Sequence, residues 1–262
     1  MADVLKYEAR QLVRGTLALA LLLGFFVLML IYLYPSIETS AESIQQWMQS
    51  LPESMRESFG MEAYTTIEGF ISTELYQFVW LLLVGLYLTY VAGGAIAGDV
   101  DTNRIDLLLA TPISRTRLLL EKYLSLLIPI VALNLIVPLF VYAGVLAIGE
   151  SIEVGHLVML HVLSVPYLLF TGAVGLALSV IFSRADRAQR GGIAVVFLLF
   201  IMDSVTKGTD LSWMGAVSPT RYYDPADILV DGLYDFTGAL ILLAATLALV
   251  IFSAERFRRA DL

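Results

Sequence analysis

The chain has 262 residues and no cysteine, so disulfides, thiolate metal sites and cysteine nucleophiles are excluded. Charge is scarce as well. Only 15% of residues are charged and 58% are hydrophobic, against about 25% and 45–50% in an ordinary soluble domain. That balance excludes a typical cytosolic enzyme, a disordered chain and a collagen-like fibre. There are two histidines, His156 and His161, which leaves little room for imidazole chemistry. They stand five apart, a spacing that does not place two ligands on one helix face. No phosphate-binding G-x-x-x-x-G-K-[ST] occurs, nor H-E-x-x-H, nor G-x-S-x-G, so no nucleotide, zinc-protease or hydrolase site is expected in this chain. The net charge of −8 argues against a nucleic-acid partner.

What is present is a set of long apolar runs. A spanning helix needs roughly 20 mostly apolar residues. Runs free of Asp, Glu, Lys and Arg, the last of them beginning just after Asp235, predict membrane spans at approximately 16–36, 76–98, 123–148, 157–183 and 235–254. A sixth run, around 188–205, has a charge-free core of only twelve residues, which rises about 18 Å as a helix. It crosses if it extends forward through Asp203 to Val205, or backward with Arg187 and Arg190 snorkelling. With six crossings, 13 of the 16 basic residues fall on one side, and the other side holds 15 of the 24 acids. The positive-inside rule then predicts both termini in the cytoplasm. The expected fold is therefore all-α: a polytopic membrane protein with six spans, read as one domain over 1–262. A cleaved signal peptide is disfavoured because the first run is too long and more spans follow. Tyr32, Tyr34, Tyr76, Trp80 and Tyr142 are read as an outer interfacial belt. Thirteen arginines against three lysines, with the acidic outer segments, are compatible with a halophilic prokaryote as source.

Lys6, Arg10 and Arg14 form a basic stripe at i, i+4, i+8, suited to anionic headgroups at the membrane surface. The stretch that carries them reads either as a helix lying on the membrane or as a cytoplasmic extension of the first span. On the outer side, Asp224 is a good N-cap, Pro225 suits the first helical position and Gly232 suits a stop. Asp203 reads as a solvated cap residue. Asn134, Pro129, Pro138 and Pro166 read as kink or hydrogen-bonding positions within spans. Gly93, Gly94, Gly98, Gly172 and Gly175 suit close helix packing.

The segment between the second and third spans is the most informative. Asp101 can cap a helix running to Ala110, with Ile105, Leu108 and Leu109 on one face. Asp99, Asp101, Arg104 and Asp106 would face water or a partner. Thr111-Pro112 would end that helix, and Ser114 would cap the helix that becomes the third span.

Residues 97 to 122 resemble the signature of permease subunits of type-2 ATP-binding-cassette exporters. The elements that carry the resemblance are Ala97-Gly98-Asp99, then Leu107-Leu108-Leu109-Ala110-Thr111-Pro112-Ile113-Ser114-Arg115, then Lys122 at the foot of the third span. Ser218-Pro219-Thr220-Arg221-Tyr222 is similar to that family's outer element before the last span. The family usually has Glu where Asp99 stands, and often Gly-Thr where Asn103-Arg104 stands. The resemblance implies that residues 101–110 form a coupling helix that docks on a separate ATPase subunit, with Asp99, Asp101, Arg104, Asp106, Leu107, Leu108, Pro112, Ser114 and Arg115 at or around the contact. It also implies that ATP and Mg are bound in that partner and no cofactor in this chain. The chain would pair with itself or a related permease in the plasma membrane. Other classes compatible with six spans are a stand-alone secondary carrier or channel and a non-transport assembly subunit. The scarcity of intramembrane carboxylates argues against the carrier.

Overall fold

The computed structural model describes residues 3–51, 63–110 and 113–260. Every regular element among them is helical. Six helices are long and apolar enough to cross a bilayer: Val4–Thr39, Ile67–Gly93, Arg115–Ala147, Val154–Ile181, Ala185–Thr206 and Phe236–Arg258. They are called the first to sixth spans below.

The order of burial follows from the packing. The fourth span is 67% buried over its most apolar stretch and lies against the second, fifth and sixth, whereas the fifth is only 28% buried. The first span packs along the third. Glycine sets the closest approach. A Cβ on Gly175 would stand 2.2 Å from the Thr89 carbonyl oxygen, so only glycine lets the fourth span meet the second there. Gly93 plays a similar part, with a Cβ 3.1 Å from the Gln189 Cα, while a Cβ on Gly98 would make only ordinary contact, 3.9 Å from the Ala185 Cβ. Thr89 Oγ1 donates across that contact to the Thr171 carbonyl at 2.9 Å.

The first span belongs to one unbroken helix, Asp3–Thr39, of 37 residues. Its rise of about 55 Å exceeds the roughly 30 Å hydrocarbon core. Lys6, Arg10 and Arg14 are exposed on its first turns, so the stripe sits on an extension of the span rather than on a separate helix. In the second span, Ser72–Val84 is wound as a π-helix. Ser72, Tyr76, Trp80 and Val84, each four apart, are all buried. The third span breaks between Leu124 and Leu127. Pro129 accounts for the break, since it lacks the N–H and crowds the carbonyl four residues back.

The aromatic belt is only partly where the sequence puts it. Tyr32 and Tyr142 are exposed, but Tyr34, Tyr76 and Trp80 are buried inside the bundle. Their rings pack against protein: Tyr34 on Phe70, and Tyr76 and Trp80 on each other and on His161.

Candidate functional site

The first and last described turns of the chain and the described parts of the 94–122 connection meet at one end of the bundle, here the terminal end. The second span's helix stops at Gly93, and after a turn a short helix, Ala97–Asp101, begins. Its first amides would be orphaned, but Ile96 N and Ala97 N each donate to Ser179 Oγ at 2.9 Å. Asn103 then takes a left-handed backbone (φ 55°), the only positive φ outside glycine among the described residues. Asparagine tolerates this region better than most residues, and glycine better still. Helix Arg104–Leu109 follows.

This differs from the expected single helix from residue 101. Asp101 is the last residue of the first short helix, not the cap of the second. Its carboxylate instead accepts from Ala185 N at 3.4 Å, at the start of the fifth span. Asp99 does not face water either. It is 4% exposed and pairs with Lys122 at 2.8 Å, itself 4% exposed. Lys122 also meets Glu8 of the first span at 2.6 Å, and Arg104 Nε lies 3.6 Å from Asp99. The Arg104 guanidinium sits 6.0 Å from the Tyr7 ring. The reason is helical register: Leu118, Leu119, Lys122 and Tyr123 share the buried face of helix Arg115–Leu124, so the lysine is carried inward and needs anions. A cleft of about 270 Å³ lies beside the cluster, lined in part by Glu8, Gln11, Thr102 and Ser125.

The rest of the segment is arranged around this base. Ile105 is buried and Leu108 and Leu109 are half-buried, as their shared face requires. Asp106 is exposed, and Leu107 is 73% exposed. Thr111 and Pro112 lie outside the described residues. Ser114 caps the third span, its hydroxyl accepting from Arg117 N at 3.3 Å. Arg115 donates to the Phe257 carbonyl at 3.3 Å and to the Ala260 carbonyl, so it ties the third span's foot to the last turn of the sixth. Glu121 accepts from Leu5 N at 3.3 Å, satisfying an orphan amide of the first helix.

At the far end, Asp203 is not a solvated cap residue. It is buried beneath the 212–222 segment and accepts from Thr220 Oγ1 at 2.8 Å, with Arg221 at 3.8 Å. Asp224 caps helix Pro225–Leu229 by accepting from Ala226 N at 2.9 Å, and also meets Lys207 at 2.6 Å. Gly232 has φ 66° just beyond that helix.

Midway, a neutral chain joins three spans. Tyr76 OH donates to His161 Nε2 at 3.0 Å, and His161 Nδ1 donates to Asn134 Oδ1 at 3.1 Å. The oxygen acceptor assigns the proton to Nδ1. Ser164 Oγ lies 3.0 Å from the same Asn134 oxygen, and the Trp80 and His161 rings meet edge to face at 4.8 Å. His156 stands apart, against the Leu229 carbonyl and Tyr234. The available sequence signal was that Asn134 and His161 each interrupt a long apolar run.

A family model described as ABC-2 family transporter protein matches residues 2–262. No curated protein matches the sequence. The match covers nearly the whole chain and agrees with the six spans. The chain belongs to the ABC-2 transporter family, as a multi-pass membrane permease subunit of an ABC transporter, a kind of component that in general works with an ABC ATPase.

Proposed function

We propose that the chain is the permease of an ABC exporter and that a separate ATPase subunit drives it through helix Arg104–Leu109. The observation that carries this reading is Leu107: an apolar side chain, 73% exposed, held off the bundle on a helix whose base is a buried ion cluster. Such a side chain beside the acidic Asp106 suits an apolar groove with a basic rim in a partner. The terminal end is cytoplasmic in this reading, because it carries most of the basic residues. The chain pairs with a second copy or a related permease. ATP and Mg bind in the ATPase subunit.

Binding and hydrolysis of ATP change the partner's dimer and displace the helix. The displacement reaches the first and third spans through Glu8, Lys122 and Asp99, and the fifth through Asp101. It biases an inward-facing against an outward-facing arrangement. The resemblance to exporters supports the outward direction. The stripe of Lys6, Arg10 and Arg14 rests against anionic lipid where the first helix leaves the membrane.

Purification in mild detergent, with the ABC ATPases of the same genome co-expressed, tests the proposal. A stable complex with one of them is expected, abolished by Leu107→Asp and uncoupled by Asp106→Arg, which keeps ATP turnover but loses transport. A folded chain that captures none of those ATPases refutes it.

A further inference from the structure

The neutral chain at mid-depth ends on an opening. Spans three and four leave a groove of about 410 Å³ between them on the bundle's outer wall. Its sides are the exposed side chains Leu135, Leu139, Val158 and Val162, and Asn134 and His161 stand in its lining. That is the usual make-up of a small-molecule site: a few hundred cubic ångströms, mostly apolar, with one or two fixed polar groups.

The polar groups have a direction. Tyr76 donates to His161, which donates to Asn134, so each bond polarises the next toward the Asn134 amide. An Asn amide has two N–H groups. One donates to the Ile130 carbonyl at 2.8 Å, and no acceptor among the described residues meets the other. Asn134 stands thirteen residues inside the end of its helix at Ala147, and His161, which it meets, seven residues inside the start of its own at Val154, roughly 20 Å and 10 Å along the two axes. At that depth the acyl chains around it offer no acceptor, and an unmet N–H is costly. Among the described residues no charged side chain lines the groove, so a charged ligand would enter unpaired.

We propose that this groove binds a neutral lipophilic molecule bearing a carbonyl oxygen, of the quinone or aryl-ketone kind, with that oxygen accepting from Asn134 Nδ2. The site depends on the packing of spans three and four, and stands whether or not the chain is driven by ATP.

Benzophenone tests this directly, because it is such a molecule and inserts into neighbouring C–H bonds when irradiated. With the full chain in lipid nanodiscs, saturable labelling is expected within residues 134–142 and 154–165. Dicyclohexyl ketone should suppress it at least tenfold more strongly than dicyclohexylmethane, which has the same bulk and no oxygen. Asn134→Leu should erase that tenfold difference. Leu139→Trp, which fills the groove without touching the polar chain, should abolish labelling while leaving the melting temperature unchanged. If Asn134→Leu does not fold, the ketone-to-hydrocarbon ratio in the parent and the Leu139→Trp result still decide. Equal competition by the two compounds overturns the proposal. So does unsaturable labelling spread over all lipid-facing surfaces, or labelling that survives Leu139→Trp. A second copy seated in the groove also overturns it; Val158→Cys, the chain's sole thiol, would then lose maleimide reactivity on dimerisation.

Discussion

Lys122→Met removes the one cation that stands between two anions. Asp99 and Lys122 are both 4% exposed, and the ammonium lies 2.8 Å from Asp99 and 2.6 Å from Glu8. Surface ion pairs contribute about 0–1 kcal/mol, but removing one member of a buried pair costs about 3–5 kcal/mol because a charge is left without its partner. Arg104, at 3.6 Å from Asp99 and itself exposed, compensates only part of that. The expected loss is therefore about 3 kcal/mol, read from reversible unfolding in mixed micelles. The double change Lys122→Met with Asp99→Asn removes both buried charges and leaves Glu8 and Arg104 within reach of water. It should recover at least about half of the loss. A single-variant cost below about 1 kcal/mol would mean that the cluster is solvated. A double variant no more stable than the single one would mean that charge is not what holds it.

Glycine packing gives a paired test. Gly175→Val should cost about 2–3 kcal/mol or more, since a Cβ there meets the Thr89 backbone, while Gly172→Ala should cost less than about 1 kcal/mol because its nearest neighbour is the movable end of Leu126; unfolding curves of the two variants make the comparison. Burial pulls the Lys207 pKa down, but Asp224 first, then Asp203 and Asp227, outweigh it and raise the value above the ordinary 10.5. The stability drawn from this pair is therefore fully present below pH 10.5 and is lost as pH rises through the higher folded value; a melting series into strong alkali should show that step in the parent and not in Lys207→Met. Arg115→Ala should cost about 1 kcal/mol by releasing carbonyls of the sixth span's last turn, and limited proteolysis should then reach the C-terminal residues faster.

Much of the scaffold was legible because membrane helices announce themselves by length and apolarity, which are local properties. The caps were legible for the same reason: Ser114 and Asp224 bond amides two or three residues on. What was not legible depends on partners far along the chain. Glu8 and Lys122 are 114 residues apart, and Tyr76 and His161 are 85 apart. Asp99 looked like a residue for water because a carboxylate alone at a span's end belongs there; only the register of Lys122 with Leu118 and Leu119 hinted that a cation would be carried inward to meet it. The break at Asn103 was hidden because one left-handed residue leaves the apolar spacing of Ile105, Leu108 and Leu109 intact. Tyr76 and Trp80 were misplaced because the ring that holds them inside, His161, lies more than eighty residues along the chain, and nothing in local composition marks that partner.

The two kinds of polar contact in this bundle resist motion differently. At the terminal end, the 97–122 connection is held by Glu8 of the first span, Lys122 of the third, Ser179 of the fourth and Ala185 of the fifth. Pulling Asp99 from Lys122 strands buried charge, at about 3–5 kcal/mol, so a force on helix Arg104–Leu109 is passed to those spans before the connection gives way. At the far end, Asp203 holds Thr220 with Arg221 nearby, which again ties a short segment to a span through a buried carboxylate. Between them, spans two, three and four are joined by Tyr76, His161 and Asn134 without any ion pair. Exchanging one of those bonds costs about 1 kcal/mol provided a new partner is found. Relative movement of the spans is therefore cheapest at mid-depth and dearest at the two ends. A permease worked from one end needs that order: stiff where the force enters, and able to exchange partners where the spans must shift.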